Sequence, residues 1–181
     1  MTRIAIPSLD NAPEASKPTL DAVHKQLGSV PNLFRLIALS PAALTAYASA
    51  NAALAKTLDL KTRERIALAV SQVNGCDYCL SAHSYIGLNM AKITPEEIAL
   101  ARQGSSGDPK AHAAVEFARK VTEQRGHVGE QDLAIVRMAG FSDAEVVEIV
   151  ALVAETSFTN YLNEVAKTEI DFPVVHASEA A

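Results

Sequence analysis

Aromatic residues are scarce in this sequence, at 5% of the 181 residues, and tryptophan is absent. Strands usually draw on aromatic and β-branched residues, so this scarcity disfavours a sheet. Alanine, which has the highest helix propensity, is instead spread along most of the chain. We therefore predict an all-α protein.

An excess of positive charge is also missing. The 16 Lys and Arg residues are interleaved with 21 Asp and Glu residues, and the formal net charge is -5. A surface that binds nucleic acid needs clustered basic residues. We therefore expect no nucleic-acid partner.

Long apolar runs are absent as well. No window approaches the roughly 18 consecutive apolar residues of a membrane-spanning helix, so we expect no membrane partner. Residues 1–10 lack the basic start and the apolar stretch of a secretory signal. These observations predict a cytoplasmic location.

The length of the chain suits one domain with its own apolar core. Capping and turn residues divide it into about eight helices, which predicts a single-domain helical bundle over residues 1–181. Within this domain we expect an N-terminal helical arm at 1–39, a core at 40–172 and a loose tail at 173–181.

Cysteine is rare, with Cys76 and Cys79 as the two examples. Their spacing is too short to cross-link distant parts of a fold, and a reducing compartment does not maintain permanent disulfides. The closeness of the two thiols therefore predicts a chemical role.

The cysteines lie at a predicted junction between two helices. One helix begins near Lys61 or Thr62 and ends at Gly75, a residue that readily takes the left-handed conformation of a helix end. The next helix runs from about Asp77 to Met90. Cys76 therefore opens the second helix, where the free N–H groups and the helix dipole stabilise a thiolate.

The spacing of the two cysteines permits a reversible disulfide. On a helix, the Cα atoms of Cys76 and Cys79 lie roughly 5 Å apart, within the range that a disulfide spans. His83 stands one turn beyond Cys79 on the same face, within reach of its proton. If the two helices fold back at Gly75, Glu64 and His83 differ in axial level by roughly 4 to 5 Å, which a side chain or one water spans. We predict a proton relay from Glu64 through His83 to sulfur.

The residues of this relay belong to a recognisable motif, ERIALAVSQVNGCDYCLSAH. The pattern of Glu, eleven residues, Cys-x-x-Cys, three residues and His resembles the alkylhydroperoxidase D-like branch of the carboxymuconolactone decarboxylase superfamily. The later segment TNYLNEVAKTEIDFPVV resembles the carboxyl end of peroxidase-related members. The resemblance covers most of the chain and implies an alkylhydroperoxidase D-like fold.

The resemblance also implies a function. It implies a thiol-dependent peroxidase that reduces organic hydroperoxides or hydrogen peroxide, with Cys79 as the peroxidatic nucleophile and Cys76 as the resolving cysteine. Glu64 and His83 take the relay roles. No cofactor is implied, but an external dithiol or redoxin-type protein must reduce the disulfide, and the subunits are expected to form trimers or hexamers.

One residue departs from the family pattern. The best-studied branch has a histidine directly before the second cysteine, where this sequence has Tyr78. The peroxidase rate and the reducing partner are therefore not carried over from that branch.

Several alternatives use the same residues. The cysteines could serve a thiol-disulfide exchange module or a redox sensor, and with His83 and Glu64 they offer four zinc ligands, although no second Cys or His cluster follows. Lactone decarboxylation follows from the superfamily alone.

Other polar residues are weaker candidates. Three residues near the carboxyl end of the last helix could reach a pocket or form subunit contacts: Asn160, Tyr161 and Asn163. The remaining histidines have no comparable companions, and we expect no chemical role for His24, His112, His127 and His176.

Overall fold

The computed structural model describes residues 2–179, and in that range every regular element is helical. After a short 3-10 turn at Glu14–Ser16, the helices are α1 Lys17–Leu27, α2 Asn32–Ile37, α3 Pro41–Leu54, α4 Leu60–Asn74, α5 Asp77–Asn89, α6 Pro95–Arg102, α7 Pro109–Glu123, α8 Glu130–Met138 and α9 Asp143–Ala166. The all-α prediction is confirmed, with one helix more than the eight expected. Residues 180 and 181 of the predicted tail, and residue 1 of the predicted arm, lie outside the described residues.

Side-chain caps start most of these helices. The residues that accept a bond from the first turn are Ser40, Asp59, Cys76, Thr94, Asp108 and Ser142. At α9, Ser142 and Glu145 form a complete capping box. At α6 the box is half formed, because the Glu97 carboxylate binds Arg65 instead of returning to Thr94.

Helix α4 lies at the centre of the bundle and packs against α5, α6, α7 and α9. Its residues Ile66, Leu68, Ala69 and Val70 are fully buried. Burial of each large side chain contributes about 1.5 to 3 kcal/mol. The helix that carries Glu64 is therefore held on all sides. Among the described residues, no helix is both long and apolar enough to span a membrane.

The turn between α4 and α5 depends on Gly75, whose φ is 68°. A residue with a Cβ is disfavoured in this left-handed conformation by roughly 1 to 2 kcal/mol. The Cys76 N–H then bonds the Ser71 carbonyl at 3.0 Å and closes the end of α4. The chain reverses at this point, so α5 packs beside α4, as predicted.

The amino-terminal helices pack over the start of α5. A buried cluster joins apolar residues from α1, α2 and α3 to both cysteines and Tyr78; its amino-terminal members include Leu20, Leu33, Ile37, Ala38 and Leu44. Helices α1, α2 and α3 therefore contribute a wall of the core around the cysteines.

The chain after α9 has no helix, yet it is not loose between residues 173 and 179. The Val175 N–H donates to Ser81 Oγ at 2.9 Å, and the Ala177 N–H donates to Asp77 Oδ1 at 2.8 Å. The Gln72 amide donates to the Ala177 carbonyl at 2.9 Å. Side chains of α4 and α5 thus bind backbone groups of a stretch that was predicted to be loose. We refer to residues 171–179 as the C-terminal segment.

Candidate active site

The first turn of α5 carries both cysteines. Cys76 is the N-cap residue, and its sulfur accepts a hydrogen bond from the Cys79 N–H at 3.3 Å. Both thiols are free, with Cys76 fully buried and Cys79 2% exposed. The two sulfur atoms therefore share one helix end, as the sequence spacing predicted.

Several groups converge on the Cys79 sulfur. The Cys76 thiol hydrogen-bonds to it, His83 lies nearby, and the Asn163 amide donates to it at 3.2 Å. Although burial opposes ionisation, these interactions lower the pKa of Cys79 to about 6, with the bond from Cys76 as the largest cause. The same bond, burial and the nearby Cys79 charge raise the pKa of Cys76. At neutral pH the thiolate therefore resides on Cys79.

His83 contacts Glu64 directly. The imidazole Nδ1 lies 2.8 Å from Glu64 Oε2, so no bridging water is needed. Burial lowers the pKa of His83, but the charge of Glu64 and this hydrogen bond outweigh it, and the net pKa is raised. Glu64 therefore favours the protonated form of the ring, and Nε2 is the ring nitrogen that Glu64 does not hold.

Cys79 and His83 both line a cavity of about 170 Å³, which we call the apolar pocket. Most of its wall is aromatic or aliphatic: Leu27, Pro31, Leu33, Phe34, Tyr47, Tyr78, Ala82, Tyr85, Ile86, Met90 and Phe172. Ser29 and Thr159 complete the lining. A small number of polar groups in an apolar cleft is typical of a small-molecule site.

Tyr78 anchors this pocket. Its hydroxyl accepts a bond from the Leu33 N–H at 3.1 Å and donates to Asp171 Oδ1 at 2.8 Å. Its ring meets Phe172 edge-on, with the ring centroids 5.9 Å apart. Burial raises the pKa of the Tyr78 hydroxyl, which keeps it neutral. In place of the histidine of the best-studied branch, this chain has a structural tie between α5, α2 and the C-terminal segment.

Helix α9 supplies the residues that the motif does not contain. Asn163 reaches Cys79, and Asn160 bonds both Asn74, at 2.8 Å, and Ser71, at 3.1 Å. Tyr161 is 60% exposed and does not line the pocket, so the suggestion that it reaches the site is wrong. The buried polar positions of α9 are Thr156, Thr159, Asn160 and Asn163. Their helical spacing was the signal in the sequence that could have identified this face.

The remaining histidines do not line the apolar pocket. His112 contacts Ser105 and Glu116. His176 has a companion that the sequence did not reveal, because its Nδ1 lies 2.7 Å from Asp77 Oδ2. That contact ties the C-terminal segment to the start of α5.

The zinc interpretation finds no support in the arrangement of side chains. Among residues 2–179, no three His, Cys, Asp or Glu side chains are grouped so that they could hold a metal ion. Glu64 is instead bonded to the His83 ring nitrogen.

Comparison with known proteins points to one family. The profile of the Carboxymuconolactone decarboxylase family matches residues 39–120, which include both cysteines, Glu64 and His83. A comparison with curated protein sequences found no match.

Solved structures of the same fold cover nearly the whole chain. The alkylhydroperoxidase AhpD core of a peroxidase-related protein from Ralstonia eutropha JMP134 is 27% identical, with 94% of this chain and 92% of that chain covered and a TM-score of 0.83. A peroxidase-related protein from Silicibacter sp. TM1040 is 24% identical, with 93% and 91% covered and a TM-score of 0.81. The debrominase Bmp8 in complex with 2,3,4-tribromopyrrole is 20% identical, with 94% and 92% covered and a TM-score of 0.78.

These relatives agree in fold while their named activities differ. Decarboxylase, alkylhydroperoxidase and debrominase are all names of enzymes. Residues 39–120 are thus similar to the Carboxymuconolactone decarboxylase family, and the fold of the chain is that of alkylhydroperoxidase D-like proteins.

Proposed function

We propose that this protein is a cysteine-based peroxidase that reduces organic hydroperoxides or hydrogen peroxide. The observation that carries the proposal is the Cys79 sulfur, with its pKa lowered to about 6, at the wall of the apolar pocket. Cys76 lies directly behind it and His83 lies beside it. A thiolate, a resolving thiol and a proton donor are the three groups that such a cycle requires.

The first step is attack of the Cys79 thiolate on the terminal oxygen of the peroxide. The S–O bond forms and the O–O bond breaks, which leaves a sulfenic acid on Cys79 and an alkoxide. The His83 imidazolium donates its proton to the alkoxide, which departs as the alcohol. Glu64 stabilises the imidazolium before this transfer through the bond at 2.8 Å.

The second step is condensation of the Cys76 thiol with the sulfenic acid. A disulfide between Cys76 and Cys79 forms, and the sulfenic oxygen leaves as water with the thiol proton. Cys76 is fully buried next to Cys79, so this reaction stays within one subunit. Overall, the peroxide gains two electrons and the two thiols lose them.

The third step needs an external reductant. A dithiol, free or on a redoxin-type protein, attacks the disulfide, supplies two electrons and regenerates the Cys79 thiolate and the Cys76 thiol. The proposed cycle uses no bound cofactor. Because the resting state is a dithiol, we propose a reducing compartment, the cytoplasm, as its location.

The wall of the pocket favours organic hydroperoxides as substrates. Aromatic and aliphatic side chains cover most of it. Burial of an apolar substituent against such a wall contributes about 25 cal/mol per Å² of apolar surface, and hydrogen peroxide has no such surface. We expect a higher kcat/KM for an aryl or alkyl hydroperoxide than for hydrogen peroxide.

Two alternatives remain for the same site. A thiol-disulfide exchange module or redox sensor would use Cys76 and Cys79 with a protein partner in place of a peroxide, whereas the apolar pocket at Cys79 favours a small substrate. A carboxymuconolactone decarboxylase-type reaction would not need the cysteines. Lactone turnover that survives replacement of both by serine would favour that reaction.

We also propose self-association into a trimer or hexamer. Helix α9 exposes a row of apolar side chains: Val147, Val150, Phe158, Tyr161 and Val165. Their spacing places them along one side of the helix. Contiguous apolar surface of this kind is typical of a protein interface, and a second copy of the chain is the proposed occupant.

Stopped-flow measurement of peroxide consumption tests the proposed function. With cumene hydroperoxide and excess dithiothreitol, we expect turnover by the native protein and none by Cys79→Ser. Cys76→Ser should complete one attack and stop at a sulfenic acid that dimedone traps on Cys79. Turnover retained by Cys79→Ser would exclude the proposal.

A further inference from the structure

His83 lies between two cavities of different character. On one side is the apolar pocket. On the other is a cavity of about 50 Å³, which we call the polar chamber; its lining includes Asn51, Arg63, Glu64, Glu155 and Thr156. Tyr47, His83 and Thr159 line both cavities and form the partition between them.

The polar chamber contains a carboxylate that takes no part in the three proposed steps of peroxide reduction. Glu155 lies on α9, and its Oε1 atom is buried without a hydrogen-bond partner from the described residues. The Asn51 side chain hydrogen-bonds to the same carboxylate. A buried oxygen without a protein partner, in a chamber large enough for a water molecule, is a place where water binds and relays protons.

Charged and titratable groups face Glu155 from three helices. Helix α3 contributes Tyr47, α4 contributes Arg63 and Glu64, and α5 contributes His83. Burial raises the pKa of Glu155, although Asn51, His83 and Arg63 oppose the shift. The charge of Glu155 in turn helps to raise the pKa of His83. The two groups therefore influence each other's protonation.

The proton traffic of the cycle gives such a group a role. His83 gives one proton to the alkoxide and regains one when the dithiol regenerates the Cys79 thiolate. The wall of the apolar pocket is mostly hydrocarbon and holds no carboxylate. The proton released in the third step arises at Cys79, in that pocket, so a group that holds a proton for His83 between the first and third steps lies on the other side, facing the polar chamber.

We propose that Glu155 is the outer proton-exchanging residue of the relay, which stores and returns the His83 proton through the polar chamber. Peroxide then binds on one side of His83, and the group that stores its proton lies on the other. Glu155 acts through His83 and does not touch the substrate, so it is a positioning and proton-storing residue. The inference rests on the proposed function for the origin of the protons.

The test compares Glu155→Gln with Glu148→Gln in the full-length protein. Glu148 lies on the same helix, about two turns earlier and near the same face, so the control removes the same charge away from the chamber. Glu155→Asp keeps a carboxylate and serves as the conservative variant. Circular dichroism first establishes that each variant is folded.

NMR titration provides a readout that requires no substrate. We expect one side-chain carboxyl signal, lost in Glu155→Gln and kept in Glu148→Gln, to titrate above the ordinary glutamate range. We also expect His83 to titrate at lower pH in Glu155→Gln. Titration of His83 at the same pH in both glutamine variants would overturn the inference, whether or not the protein reduces peroxides. If Glu155→Gln does not fold, the same two titrations, of the shifted carboxyl signal and of His83, are measured in Glu155→Asp instead. If both midpoints in Glu155→Asp equal those of the native protein, the inference is likewise overturned.

The peroxide assay then links the relay to the reaction. His83 must be protonated to assist the alkoxide, so the rate falls as the pH rises through the His83 pKa. A lower His83 pKa therefore moves this alkaline decline to lower pH. At about pH 8, Glu155→Gln should consume peroxide roughly three- to tenfold more slowly than Glu148→Gln, because less of its His83 is protonated. Glu155→Asp should restore part of the difference. Equal pH profiles for the two glutamine variants would contradict the proposed relay, and a protein inactive in every form would count against the peroxidase function alone.

Discussion

His83 Nδ1 lies 2.8 Å from Glu64 Oε2, although 19 positions separate the two residues in the chain. The contact exists because α4 and α5 fold back on each other at Gly75. It raises the pKa of His83, whose ring lines the same pocket as the Cys79 sulfur.

Replacement of Glu64 by glutamine should weaken the relay. Glu64 raises the pKa of His83 through its charge and its hydrogen bond, so Glu64→Gln lowers that pKa and leaves less imidazolium at neutral pH. Loss of a general acid typically costs about 10²-fold or more in rate. We expect single-turnover peroxide consumption to fall by that order, with its alkaline limb moved to lower pH. A pH–rate profile identical to that of Glu148→Gln would contradict this account.

Alkylation by iodoacetamide should identify the thiolate. The pKa of Cys79 is about 6 and that of Cys76 is raised, so Cys79 alone reacts at neutral pH, with a midpoint near 6. Asn163→Ala removes a donor to the thiolate and should raise the midpoint by about one to two units, since a bond to a charged group contributes about 1.5 to 3 kcal/mol. Asn89→Ala, at the exposed end of α5, is the control. Equal midpoints for the two variants, read by mass spectrometry, would show that Asn163 does not stabilise the thiolate.

Loss of the Tyr78 hydroxyl should destabilise the fold. Tyr78→Phe leaves the buried Leu33 N–H without its acceptor and Asp171 without one donor. An unsatisfied buried group costs about 1 to 3 kcal/mol, which urea unfolding can measure as a lower free energy of unfolding. Tyr85→Phe removes a partly exposed hydroxyl from the same pocket and should cost less than about 0.5 kcal/mol. Equal stability of the two variants would argue against the anchoring role of Tyr78.

The contact between His176 and Asp77 makes attachment of the C-terminal segment depend on pH. The hydrogen bond to Asp77 raises the pKa of His176. The contribution of His176 to the attachment is therefore complete at low pH and is lost as the pH rises through that raised pKa. Although burial opposes it, the bonds from His176 and Ala177 lower the pKa of Asp77, whose contribution is lost as the pH falls through the lowered value. Attachment is therefore tightest between these two values.

Hydrogen exchange of the Ala177 amide measures that attachment. After correction for intrinsic exchange, protection should decline as the pH rises through the titration of His176. His176→Gln should remove this dependence, whereas His127→Gln should retain it. If the protection of the Ala177 amide still declines with pH in His176→Gln, a group other than His176 causes the decline.

Charge placed on the apolar row of α9 should prevent assembly. Tyr161 and Val165 are each 60% exposed in the single chain, and their replacement by aspartate puts charges into the proposed interface. We expect sedimentation velocity to give a trimer or hexamer for the native protein and a monomer for the double variant. Val174→Asp, an exposed valine of the C-terminal segment, should keep the native mass. A native protein that sediments as a monomer would end this proposal.

Much of the local structure could be predicted because its causes lie within a few residues. Gly75 ends one helix, Cys76 caps the next, and His83 stands one turn beyond Cys79. Each of these relationships depends on backbone hydrogen bonds between positions three to five apart. The fold class followed similarly from alanine content and capping residues.

The rest of the site depends on residues distant in sequence. Asn163 reaches Cys79 while Tyr161, two positions earlier, faces away, and Glu155 meets His83 across the polar chamber. These outcomes depend on how α9 is rotated against α4 and α5, which the packing of the whole core determines. The tie between Tyr78 and Asp171 likewise spans 93 positions.

The sequence by itself determined the helices, the placement of two thiols at one helix end and the histidine one turn away, because short-range hydrogen bonds and helix geometry decide these features. The tertiary structure alone decided which of the two sulfur atoms lines the pocket and carries the charge. That asymmetry between Cys76 and Cys79 arises because α2, α9 and the C-terminal segment bury one thiol completely and surround the other with donors.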